Sequence, residues 1–343
     1  LLMALWGCFK WLQTVSCVER AHKLAMQQAF SGNSEVFLQN TLKSDVVFTG
    51  VGLHCGRDVT LRVRPAAAQT GIWFRRTDIS DTDPFISANW QFAVHTALCT
   101  RLVNSDGLGV STVEHVMAAI AGCGINNAVL ELDGPEVPIM DGSALEFVRG
   151  FLKAGLIEQA APVQVLEILQ TVEVQENGAY AALMPFGGIE MDFSIDFPDA
   201  AIGQQSKTLN LANGSFVHEL CDSRTFCRNS DVQVMRSNGL ALGGTLMNAV
   251  VIEGADVLSP GGMRHPDEPV RHKMLDAMGD LALAGGPIIG RYVGRRAGHT
   301  LTNKLLRKLF AQTGAFRWMD CDAHMSERLP GAGLVQEDAQ NYA

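Results

Sequence analysis

Hydrophobic and polar positions along the first half of the chain predict short strands that lead into helices. Alternating or β-branched runs indicate strands, and apolar residues at helical spacing indicate helices. The predicted elements are strands over 45–49, 59–63, 71–76 and 125–132, and helices over 111–122 and 144–154. Gly155 is placed to end the second helix. Residues 77–88 lack either period and predict a loop.

The same order of elements starts again after a break near 159–162. The predicted elements there are strands over 163–174, 179–184, 189–197, 246–253 and 287–293, short helices over 215–220 and 231–236, and long helices over 269–284 and 300–312. Strands that lead into helices are typical of an α+β or α/β protein, and here they form two halves of similar size. We therefore expect a domain over 39–160, a second over 163–325 and a loose polar tail over 326–343.

Residues 1–38 form an extension that we expect to lie outside the fold. Its first 18 residues are apolar but interrupted by Lys10, and they are too short for a membrane span. No basic region precedes them and no small-residue cleavage site follows. Two explanations stay open: a reading frame whose true start is Met26, or an amphipathic leader that touches a membrane surface.

Composition narrows the classes of function. Hydrophobic residues make up 47% of the chain, enough for a sizeable core, and the formal net charge of -9 comes without any long basic block. A nucleic-acid partner is therefore not expected, and a phosphorylated ligand would need a local cationic group. None of the eight cysteines forms a Cys-x-x-Cys pair, so we expect free thiols and seek metal ligands among histidines and carboxylates.

The predicted helix over 269–284 carries the most informative spacing. His272 and Asp276 are four residues apart, so their side chains project from one face about one turn apart. A nitrogen and an oxygen ligand at this spacing suit zinc, and Asp280, one turn further, could orient a neighbouring group. The alternative is an ordinary His–Asp pair on a solvated helix face.

A second fragment, from Ser111 to His115, also has two interpretations. His115 could be the third metal ligand, with Glu114 beside it as a general base for water. Alternatively, Ser111 and Glu114 match a capping box, in which Ser111 caps the helix and Glu114 is its reciprocal partner.

Two further fragments are weak evidence for a function when each is taken by itself. His299 follows a glycine between a predicted strand and a helix, where active-site groups often lie, but by itself the fragment favours a loop histidine without a role. In Ser223–Phe226 a threonine hydroxyl next to an aromatic ring could polarise a carbonyl and support a sugar.

Together the fragments resemble one family, the bacterial UDP-3-O-acyl-N-acetylglucosamine deacetylases, over about residues 39–325. The matching stretches, in order, are TGVGLH (49–54), RRTD (75–78), STVEH (111–115), PIMDGS (138–143), SRTF (223–226), LGG (242–244), VRHKMLD (270–276) and GH (298–299). Eight separated matches in the right order are far more specific than any single one.

The resemblance implies a fold and an activity. The expected fold is α+β, with two similar two-layer α/β sandwich domains, helices packed between outer sheets, and the active site at the domain junction. The implied reaction is zinc-dependent removal of the N-acetyl group of UDP-3-O-(3-hydroxyacyl)-N-acetylglucosamine in lipid A biosynthesis. A cytoplasmic monomer without an integral membrane segment is expected.

The resemblance also implies a role for individual residues. The implied zinc ligands are His115, His272 and Asp276. The implied catalytic groups are Glu114 as general base, His299 as a cation that stabilises the oxyanion or acts as general acid, Asp280 as the partner of that ring, and Thr225 as an oxyanion donor. The implied substrate contacts are Lys273 with a phosphate, Phe226 with the glucosamine ring, Asp196 and Phe197 with uracil, and residues 227–250 with the acyl chain.

Two other classes of function remain as alternatives. One is a catalytically inactive homologue that binds a sugar nucleotide or a lipid, although every ligand and acid–base position is present here. The other is a different zinc amidase or peptidase with the same ligand set, against which Lys273 and the pair Asp196–Phe197 argue.

Overall fold

A computed structural model describes residues 36–96, 98–335 and 337–338. Most of the predicted extension, residues 1–35, lies outside this range. Phe37 and Leu38, however, already belong to the fold. The Phe37 amide donates to the Cys321 carbonyl at 2.8 Å, and the first strand begins at Leu38.

The first half, residues 37–162, pairs five of its ten strands in one main sheet. Its elements are β1 (Leu38–Leu42), β2 (Val46–Val51), β3 (Asp58–Pro65), β4 (Ile72–Arg76), β5 (Phe85–Ser87), a 3-10 helix (Trp90–Phe92), β6 (Ala93–Val94), β7 (Arg101–Val103), β8 (Gly109–Ser111), α1 (Glu114–Gly122), β9 (Ala128–Leu132), α2 (Leu145–Ala154) and β10 (Leu156–Pro162). The main sheet has the order β2-β3-β9-β4-β5, and β4 and β9 are its parallel pair.

Alternation along the strands decides which face of this sheet is buried. In β3, Val59, Leu61 and Val63 point into the core while their neighbours are exposed or half-buried. Phe48 from β2 packs edge-on against Phe147 of α2, with ring centroids 4.9 Å apart. The helices therefore cover the apolar face of the sheet.

The second half repeats this arrangement with a larger sheet. Its elements are β11 (Gln164–Ile168), β12 (Val172–Glu176), β13 (Ala179–Met184), β14 (Ile189–Asp196), β15 (Gln204–Asn210), α3 (Ser215–Glu219), β16 (Phe226–Arg228), α4 (Asn229–Ser237), β17 (Val250–Glu253), β18 (Asp256–Val257), α5 (Glu268–Ala282), β19 (Ile288–Arg295), α6 (His299–Ala311), β20 (Phe316–Asp320) and α7 (Ala323–Ser326). Central strand β19 pairs in parallel with β11 and β14 and antiparallel with β13.

Helices α1 and α5 pack against each other between the two sheets. They meet at Gly279, where an added Cβ would lie 1.9 Å from the carbonyl oxygen of Glu114. Almost every residue of α1 is buried, as expected of a helix enclosed on all sides. The expected α+β architecture with helices between outer sheets is confirmed, while the proposed domain boundary near residues 160–163 stays a prediction.

Several predicted boundaries change in the structure. The predicted loop over 77–88 contains strand β5, and the strand predicted from residue 246 begins only at Val250. In the segment expected to be a loose tail, Leu329 is buried in the core, so the packed chain continues beyond α7. Across the described residues, the helices are too short or too polar to cross a bilayer.

Candidate metal centre

Helix α5 presents three acidic or imidazole groups from successive turns of one face. Pro269 in its first turn fits because a proline there sacrifices no helical hydrogen bond. His272, Asp276 and Asp280 are each only 3–4% exposed, so the predicted spacing produces a buried row of side chains. The alternative of an ion pair on a solvated helix face is therefore wrong.

The start of α1, in the first half of the chain, lies next to this row. Strand β8 ends at Ser111, and Thr112 then adopts a left-handed backbone with φ of 57° before the helix begins at Glu114. The residue before the helix is Val113, and no side chain caps the helix. The capping-box alternative for Ser111 and Glu114 is therefore wrong, because Ser111 lies in a strand.

His115, His272 and Asp276 converge on one point and could hold a metal ion. The Nε2 atoms of His115 and His272 lie 3.5 Å and 3.3 Å from Asp276 Oδ1. Ligand atoms around a tetrahedral zinc ion with bonds near 2.1 Å are roughly 3.4 Å apart. Both distances to Asp276 Oδ1 therefore fit such an ion.

The protonation states of His272 and Asp276 also fit a metal. The Nδ1 atom of His272 lies 3.0 Å from the Ser223 carbonyl, which fixes the proton there and leaves Nε2 free to coordinate. Burial lowers the pKa of His272 to about 4, so the ring is neutral. Burial opposes ionisation of Asp276, but His272, Lys273 and His299 hold its pKa well below the usual value. No described residue donates a hydrogen bond to Asp276 Oδ1.

Glu114 lies beside the cluster with one carboxylate oxygen anchored. Its Oε2 accepts a hydrogen bond from the Thr100 amide at 3.0 Å, and its Oε1 faces His299 Nε2 at 3.8 Å. Burial raises the pKa of Glu114, against the opposing effect of His299 and His115. A carboxylate with a raised pKa is better suited to accept a proton near neutral pH.

His299 occupies the other side as a cation. Its Nδ1 lies 2.9 Å from Asp280 Oδ2, and the other Asp280 oxygen accepts from the Thr100 hydroxyl. Burial alone would lower the pKa of His299, but the carboxylates of Asp280, Glu114 and Asp276 raise it to about 9. The alternative of a loop histidine without a role is therefore disfavoured.

A cleft of about 1340 Å³ opens next to the cluster. Of the residues predicted to contact substrate, Phe197, Phe226, Lys273 and many within 227–250 line it, as does the predicted oxyanion donor Thr225. Phe197 and Phe226 meet edge-on with ring centroids 5.3 Å apart. Lys273 Nζ lies 2.7 Å from Asp276 Oδ2, so the ammonium is drawn towards the metal cluster. Asp196 ends β14 and is exposed.

Two buried polar residues in this region, Glu136 and Thr100, could not be identified from the sequence. Glu136 accepts hydrogen bonds from the amides of His54 and Cys55 and from the Thr112 hydroxyl, the last at 2.7 Å. Thr100 holds both Glu114 and Asp280. Each partner is far away in the sequence, so no local spacing could have revealed these contacts.

Comparison with known proteins decides the family. The family model described as UDP-3-O-acyl N-acetylglycosamine deacetylase matches residues 39–311. The chain belongs to this deacetylase family. All residues discussed for the metal cluster and the cleft lie within the matched range.

Relatives named UDP-3-O-acyl-N-acetylglucosamine deacetylase cover most of the chain. The protein from Phenylobacterium zucineum (strain HLK1) is 49% identical over 279 residues, which is 81% of this chain and 95% of that protein. The protein from Shewanella frigidimarina (strain NCIMB 400) is 44% identical over 303 residues, covering 87% and 99%. The protein from Shewanella sp. (strain W3-18-1) is 46% identical over 305 residues, with the same coverage. This deacetylase thus matches its relatives over nearly their full length.

Proposed function

We propose that the protein hydrolyses the N-acetyl group of UDP-3-O-(3-hydroxyacyl)-N-acetylglucosamine, releasing acetate and the free amine in lipid A biosynthesis. One observation carries the proposal: a buried His115–His272–Asp276 cluster is flanked by a carboxylate, Glu114, and a cationic imidazole, His299, at the wall of a large cleft. This set of groups is suited to direct hydrolysis of an amide.

His115, His272 and Asp276 are proposed to hold a zinc ion through two nitrogens and one oxygen. When bound, the ion supplies the Lewis acidity that polarises the acetamide carbonyl and activates water. Iron can occupy similar sites, so the donor set favours zinc without requiring it. A neutral His272 and an ionised Asp276 are the forms in which these residues bind a cation.

Glu114 is proposed to be the general base. The Thr100 amide fixes one carboxylate oxygen, which leaves the other directed at the space between the cluster and His299. Glu114 removes a proton from the attacking water and later delivers it to the leaving amine. A general base of this kind typically accelerates a reaction about 10²- to 10⁴-fold.

His299 and Thr225 are proposed to stabilise the negative charge that develops on the acetyl oxygen. Asp280 keeps His299 protonated and fixes its ring, so that Nε2 faces the reacting group. Thr225 is fixed by its amide, which donates to the Gly142 carbonyl at 2.7 Å, and by its carbonyl, which accepts from Val250 at 2.8 Å. Each such donor is typically worth about 10²- to 10³-fold in rate.

The substrate contacts are proposed from the cleft and the family. Lys273 meets a phosphate of the nucleotide once substrate competes with Asp276 for its ammonium, and Phe226 packs on the glucosamine ring. Phe197 and the exposed Asp196 contact uracil, and the acyl chain follows residues 227–250. We also propose that the protein acts as a cytoplasmic monomer.

A deacetylation assay with UDP-3-O-acyl-N-acetylglucosamine tests this function and the metal together. We expect activity that a chelator abolishes and that zinc restores, with added UDP acting as a competitor. Turnover that UDP does not inhibit would favour a different zinc amidase. A folded, zinc-loaded protein that binds the substrate without turnover would favour the inactive homologue and contradict the proposal.

A further inference from the structure

A buried ion pair lies one helical turn before the proposed metal ligand His272 on α5. Glu268, the first residue of α5, is 1% exposed, and Arg224 is 7% exposed. The guanidinium of Arg224 donates through Nε to Glu268 Oε1 at 2.9 Å and through Nη2 to Oε2 at 3.2 Å. The Arg224 amide donates to the same Oε1 at 3.0 Å. Glu268 thus binds both the side chain and the backbone of Arg224.

Further contacts extend this link into a closed network. Arg224 Nη2 also donates to the Gly262 carbonyl at 2.7 Å, and the Arg264 amide donates to Glu268 Oε2 at 2.6 Å. Both Glu268 oxygens and the Nε and Nη2 atoms of Arg224 therefore have partners, and such partners offset the cost of burying an ion pair.

The position of Arg224 in the chain gives the pair a consequence beyond folding. The residue before it is Ser223, whose carbonyl fixes the His272 ring through Nδ1 at 3.0 Å. The residue after it is Thr225, the proposed oxyanion donor. A shift of Arg224 would therefore move the partner of a metal ligand and a group that faces the acetyl oxygen.

Helical spacing strengthens the connection. Glu268 and His272 are four residues apart on α5, so they lie about one turn apart on the same face. The segment 223–225 is thereby attached to this face at two points, through Glu268 to Arg224 and through His272 to Ser223. Two attachment points fix its orientation as well as its distance from the helix.

The geometry points to Glu268 and Arg224 as positioning residues that set the orientation of His272 for the metal and of Thr225 for the reaction. This inference rests on the proposed function for Thr225, whereas its effect on His272 requires only that the cluster binds a metal. Loss of a partner that orients a metal-bound histidine typically weakens metal binding about 10- to 100-fold.

Two variants of the full-length protein separate positioning from simple stability. Arg224→Met removes the guanidinium and leaves Glu268 unpaired. The double variant Arg224→Met with Glu268→Gln removes both charges and keeps an amide oxygen for one of the two backbone donors. We expect the double variant to recover stability lost in the single variant, because an uncompensated buried charge is gone. We expect zinc affinity to be reduced in both variants.

The readouts are zinc affinity, by competition with a chromophoric chelator, the absorption spectrum of the cobalt-loaded protein, and kcat and KM. Zinc affinity should fall about 10- to 100-fold in both variants, with a changed cobalt spectrum. We expect kcat to fall more than KM rises, because Thr225 acts on the charge that develops during the reaction.

A partly exposed Arg–Asp pair away from the cluster provides the control. Arg295 binds Asp192 with two parallel hydrogen bonds of 3.0 and 2.8 Å on the outer sheet. Arg295→Met, alone or with Asp192→Asn, should leave zinc affinity and the cobalt spectrum unchanged.

The inference is wrong if the double variant has the zinc affinity, cobalt spectrum and kcat of the wild-type protein. This test remains valid even if the single variant does not fold. If the wild-type protein binds zinc but does not deacetylate the substrate, the proposed function fails. The affinity and spectroscopic measurements would then still decide the role of the pair for His272.

Discussion

The second half of the chain presents His272, Asp276 and Asp280 from the interior of one long helix, whereas the first half presents Glu114 and His115 from the first turn of a short one. In α5 the helical repeat itself sets the distance between the side chains. At the start of α1 the two residues are neighbours, so they point in different directions, and only His115 joins the cluster.

This difference teaches that a site can combine locally and distantly determined parts. The left-handed backbone at Thr112 is unfavourable for a β-branched residue, and the Thr112 hydroxyl is held by Glu136. The Thr100 amide then holds Glu114. The position of Glu114 therefore depends on contacts from other parts of the chain, whereas the helix itself sets the spacing of the row on α5.

The largest expected effect separates the two neighbours on α1. Glu114→Ala should keep its metal and lose activity about 10²- to 10⁴-fold, because it removes the base and no ligand. His115→Ala should lower the metal content, because it removes a donor atom. Metal analysis and turnover of both purified variants test this. Near wild-type turnover in Glu114→Ala would exclude Glu114 as the base.

The next effect concerns the contact between the halves. In Gly279→Ala the new Cβ would meet the Glu114 carbonyl oxygen at 1.9 Å, so α1 and α5 must separate. Overpacking of this kind costs about 1–3 kcal/mol of the free energy of unfolding, more than the roughly 1 kcal/mol that alanine gains over glycine in a helix. We expect reduced kcat as Glu114 moves.

Urea unfolding and steady-state kinetics measure both consequences of Gly279→Ala. Gly187→Ala is the control, because its added Cβ would meet only Arg328 Nη1 at 3.6 Å. Equal stability and kcat in the two variants would show that the helices tolerate a wider separation.

A smaller effect concerns the row on α5. The pKa of His299 is raised to about 9, so the ring keeps its proton at neutral pH, and activity that needs the cation falls as the pH rises through about 9. Asp280→Asn removes the nearest carboxylate, so the alkaline limb of the profile of kcat against pH should move to lower pH. An unchanged limb would show that another group titrates there.

The smallest effect tests the rejected cap. Ser111→Ala should leave the melting temperature unchanged, because Ser111 is in a strand and caps no helix. Asp322→Ala is the contrast, since the Asp322 side chain accepts from the Met325 amide at 2.8 Å, and losing such a cap costs about 1 kcal/mol. A destabilised Ser111→Ala would revive the capping interpretation.

Hydrophobic periodicity predicted the long helices well, but the longest predicted strand, over 163–174, is divided into β11 and β12. The helices α5 and α6 and the strand β13 lie within a residue or two of their predicted bounds, and Gly155 ends α2 with φ of 73°. The short strand β5 has too few residues to show a period. Ser111 was misassigned because a serine three residues before a glutamate has the same spacing in a strand as in a cap.

The site was only partly visible in the sequence, for a physical reason. Helical spacing identifies His272 and Asp276 as a candidate pair. The family resemblance was needed to place His115 and His299 in the same site. Glu136, Thr100 and Arg224 act through hydrogen bonds to residues far along the chain. Such contacts exist only after the sheets and helices have packed, so no local pattern reports them.

The division of the proposed metal ligands between the halves has a consequence for how the protein would acquire its ion. His115 is synthesised well before His272 and Asp276, and a nascent chain that ends before Asp276 cannot hold all three donor atoms. Metal capture would thus be a late step of folding, and free metal would favour only the completed fold, by about 1.4 kcal/mol for each tenfold rise in its concentration above Kd. The finished protein, rather than the nascent chain, would then select the metal.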